Sequence, residues 1–313
     1  MSATPKSRVG VVVMAYGTPR DPDDVLPYYL DIRRGRPPTD EQLADLVRRY
    51  DAIGGVSPLA ERTQAQVAAI ASARAPTAPG EFLVVHGAKH SHPKIEESID
   101  ALAAEGVSRI VGLVLAPHYS AMSVGEYIER ARQCAEEHGI ESAFVERWHD
   151  DPALVEVLAE RVAAAIAALG LPPGARLELI VSAHSLPERI LATGDHYPDE
   201  LLETAKLVAE RAAVTSFRTG WQSAGRTPEP WLGPDILEVL RALRSEGVDA
   251  VVVCPAGFTA DHLEVLYDLD VEASALAATI GLRFARTASL NDEPRIAAAL
   301  ARRIEGVASR TWG

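Results

Sequence analysis

Short apolar, β-branched runs recur along the chain, and each stops abruptly on a polar or helix-breaking residue. Val9–Met14, Phe82–Val85, Ile110–Ala116, Ala143–Trp148, Leu177–His184, Ala250–Cys254 and Arg283–Thr287 carry this pattern. Such runs predict buried parallel strands. Between them the spacing predicts helices: Thr39–Tyr50 with Thr39 or Asp40 as cap, Glu61–Ala73, Pro93–Glu105, a segment ending near Glu137, an Ala-rich helix from Asp151-Pro152 to Leu169, and a last helix opened by Pro294. Pro76–Gly80, Leu171–Gly174 and the Trp221–Asp235 stretch read as loops or linkers. Strand and helix alternating in this way predict an α/β fold with parallel sheets.

The pattern repeats. The shift that superposes Arg8 on Arg176 also superposes Ala15 on Ala183, Pro19 on Pro187 and Tyr16 on His184. A second shift brings Pro93 onto Pro234, Ile95 onto Ile236, Glu97 onto Glu238 and Glu105-Gly106-Val107 onto Glu246-Gly247-Val248. A third pairs Asp151-Pro152 with Glu293-Pro294 and Arg161 with Arg303. Matches kept in order through both halves imply an internal duplication. We expect two similar domains, each a small parallel sheet flanked by helices. The first half is 1–150, with the C-terminal helix 291–313 packing back on it, and the second is 151–290. Ligands of such sheets bind beyond the carboxyl ends of the strands, so Tyr16 and His184 are expected on opposite walls of one interdomain cleft.

Composition narrows the function. At 313 residues, 47% hydrophobic and 24% charged, this is an ordinary globular chain. A net charge of −13 argues against a nucleic-acid partner. Cys134 and Cys254 are the only cysteines, too few for a disulfide framework, and they suggest a reducing compartment. The opening M-S-A-T-P-K-S-R has no apolar core of a secretory leader, so a cytoplasmic location is expected. No Gly-x-Gly-x-x-Gly or Walker loop follows a strand, and no Gly-x-Ser-x-Gly elbow is present, so neither nucleotide binding nor serine hydrolysis is supported.

Candidate chemistry lies at the strand ends. Glu264, Asp268 and Glu272 are spaced four apart, a single acidic file if helical, able to hold or pass a divalent cation or accept protons. A solvated acidic face is the alternative. His184 with Glu264 makes an imidazole–carboxylate pair suited to proton abstraction or to a borderline metal. Arg33-Arg34-Gly35-Arg36 is either a solvated basic loop or a rim for carboxylates or phosphates. His86, His90 and His92 have metal-like spacing but are expected in a loop with no carboxylate beside them. His86 and His92 read as polar loop residues, and Lys89 and His90 as residues facing the cleft.

The segments M-A-Y-G-T-P, Y-L-D-I-R-R-G-R-P-P, I-G-G-V-S-P-L, G-A-K-H, L-A-P-H-Y-S, V-S-A-H-S-L-P-E, G-W-Q-S-A-G-R-T-P-E-P-W-L-G-P-D and P-A-G-F-T-A-D-H-L-E-V-L-Y-D run in order through nearly the whole chain. In them the protein resembles the ferrochelatase family, and more closely its coproporphyrin-type bacterial branch. The resemblance implies two Rossmann-like domains and insertion of Fe2+ into a porphyrin in haem biosynthesis, a lyase reaction, with coproporphyrin III as the expected substrate. Protoporphyrin IX, or another divalent metal such as cobalt or nickel, is the alternative within enzymes, and a non-catalytic tetrapyrrole or metal carrier the alternative outside them. By the resemblance, His184 and Glu264 are the catalytic pair and Tyr16 the axial ligand of product iron. Tyr29, Arg33, Arg34, Ser57 and Tyr127 are porphyrin contacts. Arg49, Asp268 and Glu272 match an outer metal site, and an auxiliary Mg2+ is a further expectation. No cofactor is implied beyond substrate iron, and two cysteines are too few for the [2Fe-2S] cluster of some relatives. The expected partners are porphyrin and Fe2+, with transient contact to other haem-pathway enzymes and a monomeric state.

Overall fold

Two four-stranded parallel sheets with the same internal strand order frame the molecule in a computed structural model that describes residues 8–74 and 82–313. Residues 1–7, on which the expectation of no leader largely rests, and the Pro76–Gly80 loop lie outside the described residues. The first sheet holds β1 (Val9–Ala15), β2 (Phe82–Ala88), β3 (Arg109–Val114) and β4 (Glu141–Val145), in the order β2-β1-β3-β4. The second holds β5 (Leu177–His184), β6 (Phe217–Gln222), β7 (Ala250–Cys254) and β8 (Arg283–Arg286), in the order β6-β5-β7-β8. The duplication read from the repeat is therefore a duplication of topology, with β1 matching β5. One strand departs from expectation. Phe217–Gln222 pairs along β5 from Leu179↔Phe217 to His184↔Gln222, so Trp221 and Gln222 are strand residues and not loop.

The helices are α1 (Val25–Ile32), α2 (Asp40–Ala52), α3 (Leu59–Arg74), α4 (Ile95–Ala104), α5 (Val124–Glu137), α6 (Pro152–Leu169), α7 (Tyr197–Arg211), α8 (Ile236–Ser245), α9 (Leu263–Val265), α10 (Ser274–Ile280) and α11 (Pro294–Trp312). Thr39 caps α2 in a reciprocal box with Gln42. The repeat-related pair Asp151 and Glu293 do the same work at α6 and α11, each accepting a backbone N–H two residues on. Between α9 and α10 the segment Leu266–Ala273 is π-helical, where the 259–272 pattern predicts an ordinary helix. Such wide turns are rare and concentrate at functional sites.

The β-branched runs explain the layering. Val11, Val13, Val111, Leu179, Val181 and Val252 turn inward to a shared core with Leu154, Val157, Leu300 and Ile304 of α6 and α11. The opposite faces of the sheets are covered separately. Val12, Met14 and Ile110 pack under α4 and α5, while Ile180, Val251 and Val253 pack under α8 and the π-helical segment. Helix α6 packs on β7 and β8, whereas α11 crosses back to α3 and β4. No helix among the described residues is long and apolar enough to cross a membrane.

Candidate active site

Strand β5 delivers His184 to the carboxyl edge of the second sheet, and the backbone there is tied down on both sides. Ser185 N–H donates to Gln222 O at 2.7 Å, and Ser185 Oγ donates to Leu232 O at 2.7 Å. The Tyr197 hydroxyl donates to His184 O at 3.0 Å, and the ring Nδ1–H of His184 donates to Ser185 O. That last bond directs Nε2 outward, the same device that orients metal-binding histidines.

Glu264 arrives from the neighbouring strand. After β7 the loop runs so close to β5 that a Cβ on Gly257 would lie 2.4 Å from Ala183 Cβ, while Gly257 N–H donates to Ser182 O at 3.0 Å. Only glycine fits that approach. A second tether is Gln222, whose Oε1 accepts from Ser182 Oγ at 2.7 Å and whose Nε2 donates to Glu264 O at 3.4 Å. Glu264 Oε1 then stands 3.6 Å from His184 Nε2, and its other oxygen 3.7 Å from His262 Nε2.

The electrostatics follow from this packing. Burial disfavours a charged His184, but the Glu264 carboxylate overrides it and raises the imidazole pKa to about 9. Glu264 is held well below the usual carboxylate range, because attraction to His184 outweighs its desolvation. The pair is an imidazolium and a carboxylate at neutral pH. One turn on, Asp268 is buried and behaves oppositely. Desolvation, with the nearby charges of Glu264 and Glu272, lifts it to about 7 despite a hydrogen bond from Ser223 and the Arg49 charge.

A cavity of about 580 Å³ lies between the two sheets, within the range of small-molecule sites. His184 and Glu264 line it from the second half, and Tyr16, Tyr29, Ser57 and Tyr127 from the first. Tyr16 follows the last residue of β1, packs edge-on to Tyr28 at 6.5 Å and tilts against His90 at 4.7 Å. Desolvation and the Glu264 charge raise its phenol pKa, so it stays protonated. Other expected residues stand outside the lining. Arg33 turns its guanidinium to the carbonyls of Arg36 (3.0 Å) and Pro37 (3.4 Å) and covers the Tyr29 ring at 5.4 Å. Arg34, with φ of 54°, projects into solvent and comes within 3.8 Å of Glu126. Arg49 lies 3.9 Å from Asp268 and stacks on Tyr267 at 5.0 Å, so a fixed cation already faces the middle of the acidic file.

The histidine-rich segment differs from expectation. His86 is a strand residue of β2, and carboxylates stand beside the other two: Asp31 Oδ2 is 2.7 Å from His90 Nδ1, and Glu97 lies 2.9 Å from His92. Lys89 does line the cavity, 5.1 Å over the Tyr127 ring and paired with Glu126. Sequence reasoning missed His262, Tyr197, Gln222 and Ser182. His262 carried a visible signal, a histidine two residues before the candidate acid, while the others act only through contacts made by folding.

Two matching α/β sheets facing one cavity have the two-domain architecture of the chelatase fold, as comparison with solved structures shows. Over 97% of both chains the structure matches SirB from Bacillus subtilis solved with Fe3+, with a TM-score of 0.61 at 13% identity. CbiX, described as the terminal enzyme of sirohaem biosynthesis in denitrifying bacteria, matches over 95% of this chain and 98% of its own, with a TM-score of 0.56 at 16% identity. At that identity the likeness is one of fold. The ferrochelatase family pattern matches residues 8–307. A coproporphyrin III ferrochelatase of Geobacillus thermodenitrificans is 46% identical over 95% of each chain, and that of Bacillus subtilis 44% identical over 95% of this chain and 96% of its own. This chain belongs to the ferrochelatase family.

Proposed function

We propose that the protein inserts Fe2+ into coproporphyrin III in haem biosynthesis, with the macrocycle in the cavity between Tyr16 and the His184/Glu264 pair. The observation that carries the reading is that pair, 3.6 Å apart and facing a largely apolar cavity large enough for a flat ligand. Metallation breaks two pyrrole N–H bonds, releasing two protons, as all four ring nitrogens bind the iron, so the site must bind a dication and accept protons on one face of the ring. Before substrate arrives, the pair holds one proton on His184. An approaching dication lowers the imidazole pKa and frees the Nε2 lone pair, while Glu264 stays ionised. The proton displaced from His184 leaves to solvent, and the two groups then help to hold the ion and accept the two pyrrole protons one at a time, each passing to solvent before the next is taken. Tyr16, protonated across the free cavity, is assigned as the axial ligand of product iron. Tyr29, Ser57 and Tyr127 hold the macrocycle, and Arg33 and Arg34 attract its propionates from the rim.

Asp268 and Glu272, both on the π-helical segment, are assigned together with Arg49 as an outer metal site, and an auxiliary Mg2+ is a separate part of the reading. No cofactor beyond substrate iron is invoked. The division into 1–150 with 291–313, and 151–290, is supported by α11 packing on α3 and β4. A monomer in the cytoplasm, meeting other haem-pathway enzymes transiently, completes the proposal.

Anaerobic incubation with Fe2+ and either coproporphyrin III or protoporphyrin IX, followed by absorbance, tests it. Faster metallation of coproporphyrin III is expected. Preference for protoporphyrin IX would move the substrate assignment, and binding without turnover would leave only a carrier.

A further inference from the structure

A second cluster of metal-capable side chains lies outside the cavity, where α4 packs against α5. Among the described residues, Asp100, Cys134 and His138 bring ligand atoms that all lie within 4.8 Å of one another. Cys134 on α5 and His138 at its C-terminal cap are four apart, one turn from each other, and Asp100 comes from α4. His138 Nε2 is 2.6 Å from Asp100 Oδ1, and Cys134 Sγ is 3.8 Å from that same oxygen. Cys134 is buried while Asp100 and His138 are exposed, so the thiol forms the floor of a group whose other two members are open to solvent.

We propose that Asp100, Cys134 and His138 bind a divalent cation of the Zn2+ class, with water in the fourth position. The donor set is what selects the ion. A thiolate, an imidazole and a carboxylate suit borderline cations and are unsuited to Mg2+ or Ca2+, which take oxygen shells. Ordinary zinc–ligand lengths place neighbouring donors of a tetrahedron roughly 3.4–3.6 Å apart. The sulfur–oxygen separation is already near that. The His138–Asp100 contact must open by somewhat less than about 1 Å on the same geometry, a movement that two exposed side chains can make.

The charge balance also favours a cation. The Asp100 and Glu137 carboxylates act on the Cys134 thiol, while Glu96 is already paired with Arg130, so the local field is negative. The same negative field that opposes a bare thiolate attracts a dication. Binding is an exchange: the cation forms a bond to sulfur, the thiol proton leaves to solvent, and His138 binds as the neutral ring. Affinity therefore rises with pH. The site shares no residue with the proposed chelatase chemistry, so it stands or falls separately from that reading.

Titrating the purified full-length chain with Co2+ tests the proposal, because only a thiolate ligand gives a sulfur-to-cobalt charge-transfer band. The wild type should develop the band, Zn2+ should displace it, and His184→Ala should keep it. Cys134→Ser should abolish it. Asp100→Asn, at an exposed position that should not disturb folding, should weaken Co2+ binding by more than the 10–100-fold typical of losing an outer-shell partner. Absence of the band in the wild type, its persistence in Cys134→Ser, or unchanged affinity in Asp100→Asn would each overturn the site and leave a His138–Asp100 ion pair beside an inert thiol.

Discussion

Gly257 lies so tightly against Ala183 that a single added methyl would overlap its Cβ at 2.4 Å. Through that contact the loop after β7 is pressed onto the end of β5, and the two strand ends present Glu264 and His184 to each other. We predict that Gly257→Ala destabilises the fold by about 1–3 kcal/mol, as overpacking does. It should also lower metallation more than tenfold while porphyrin binding, measured by fluorescence quenching, changes little. An active variant would show that this approach does not position the pair.

His184→Ala should cut metallation by about 10²–10⁴-fold, the usual range for losing a positioned acid or base, with the porphyrin still bound. Glu264→Gln keeps the shape and removes the charge that raises His184. Its imidazole should then titrate well below about 9, which NMR of the ring protons reads directly. Normal turnover in His184→Ala would remove the assignment.

The pair also links stability to pH. His184 has a folded pKa raised to about 9, so its contribution is complete below the unfolded value of about 6.5 and is lost as pH rises through about 9. Glu264 has a lowered folded pKa, so its contribution is present above about 4.3 and fades in acid. Thermal unfolding should show Tm falling between pH 7 and pH 10, with a flatter profile in His184→Ala.

Asp268 gives the opposite burden at neutral pH. Its carboxyl, raised to about 7 by burial and by Glu264, binds its proton more tightly folded than unfolded. Stability from this group therefore falls as pH climbs from about 4 to about 7. Asp268→Asn should remove that slope and match or exceed the wild-type Tm at pH 8. A lower Tm there would mean that the Ser223 and Arg49 contacts outweigh the buried charge.

The two rim arginines should separate. Arg34 is exposed and only loosely paired, at 3.8 Å from Glu126, whereas Arg33 is bound by its own loop. Arg34→Ala should weaken porphyrin binding about threefold to tenfold, an effect that fades with added salt. Arg33→Ala should also weaken porphyrin binding, with a smaller salt dependence, because part of its effect is loosening the loop whose carbonyls its guanidinium holds. Unchanged affinity in the double variant would take both arginines out of the rim.

Much of this architecture was written locally. The runs Val9–Met14 and Ala250–Cys254 are β-branched and fully apolar because both faces of their sheets are covered, and burial on both faces leaves a direct trace in composition. The repeat-related caps Asp151-Pro152 and Glu293-Pro294 are equally local, since a helix start needs only its own first turn. His184 at the end of β5, and Glu264 in the helical segment that follows β7, were legible as residue types. Phe217–Gln222 was not legible as a strand. Among the described strands it pairs only with β5, at the sheet edge, and its Arg218, Thr219 and Gly220 break the apolar run.

The remaining features depend on atoms far apart in the chain. Asp268 belongs to an acidic file by spacing, yet burial beside Glu264 makes it a carboxyl that titrates near neutrality, and no spacing rule carries a desolvation energy. Gln222 reaches Glu264 across 42 positions, and Gly257 is required only because Ala183 stands against it. Local pattern set which segments became strands, helices and caps, since each answers to its neighbours within a turn. Which side chains faced one another, and hence their charge, was settled by packing between segments that meet only in the folded molecule.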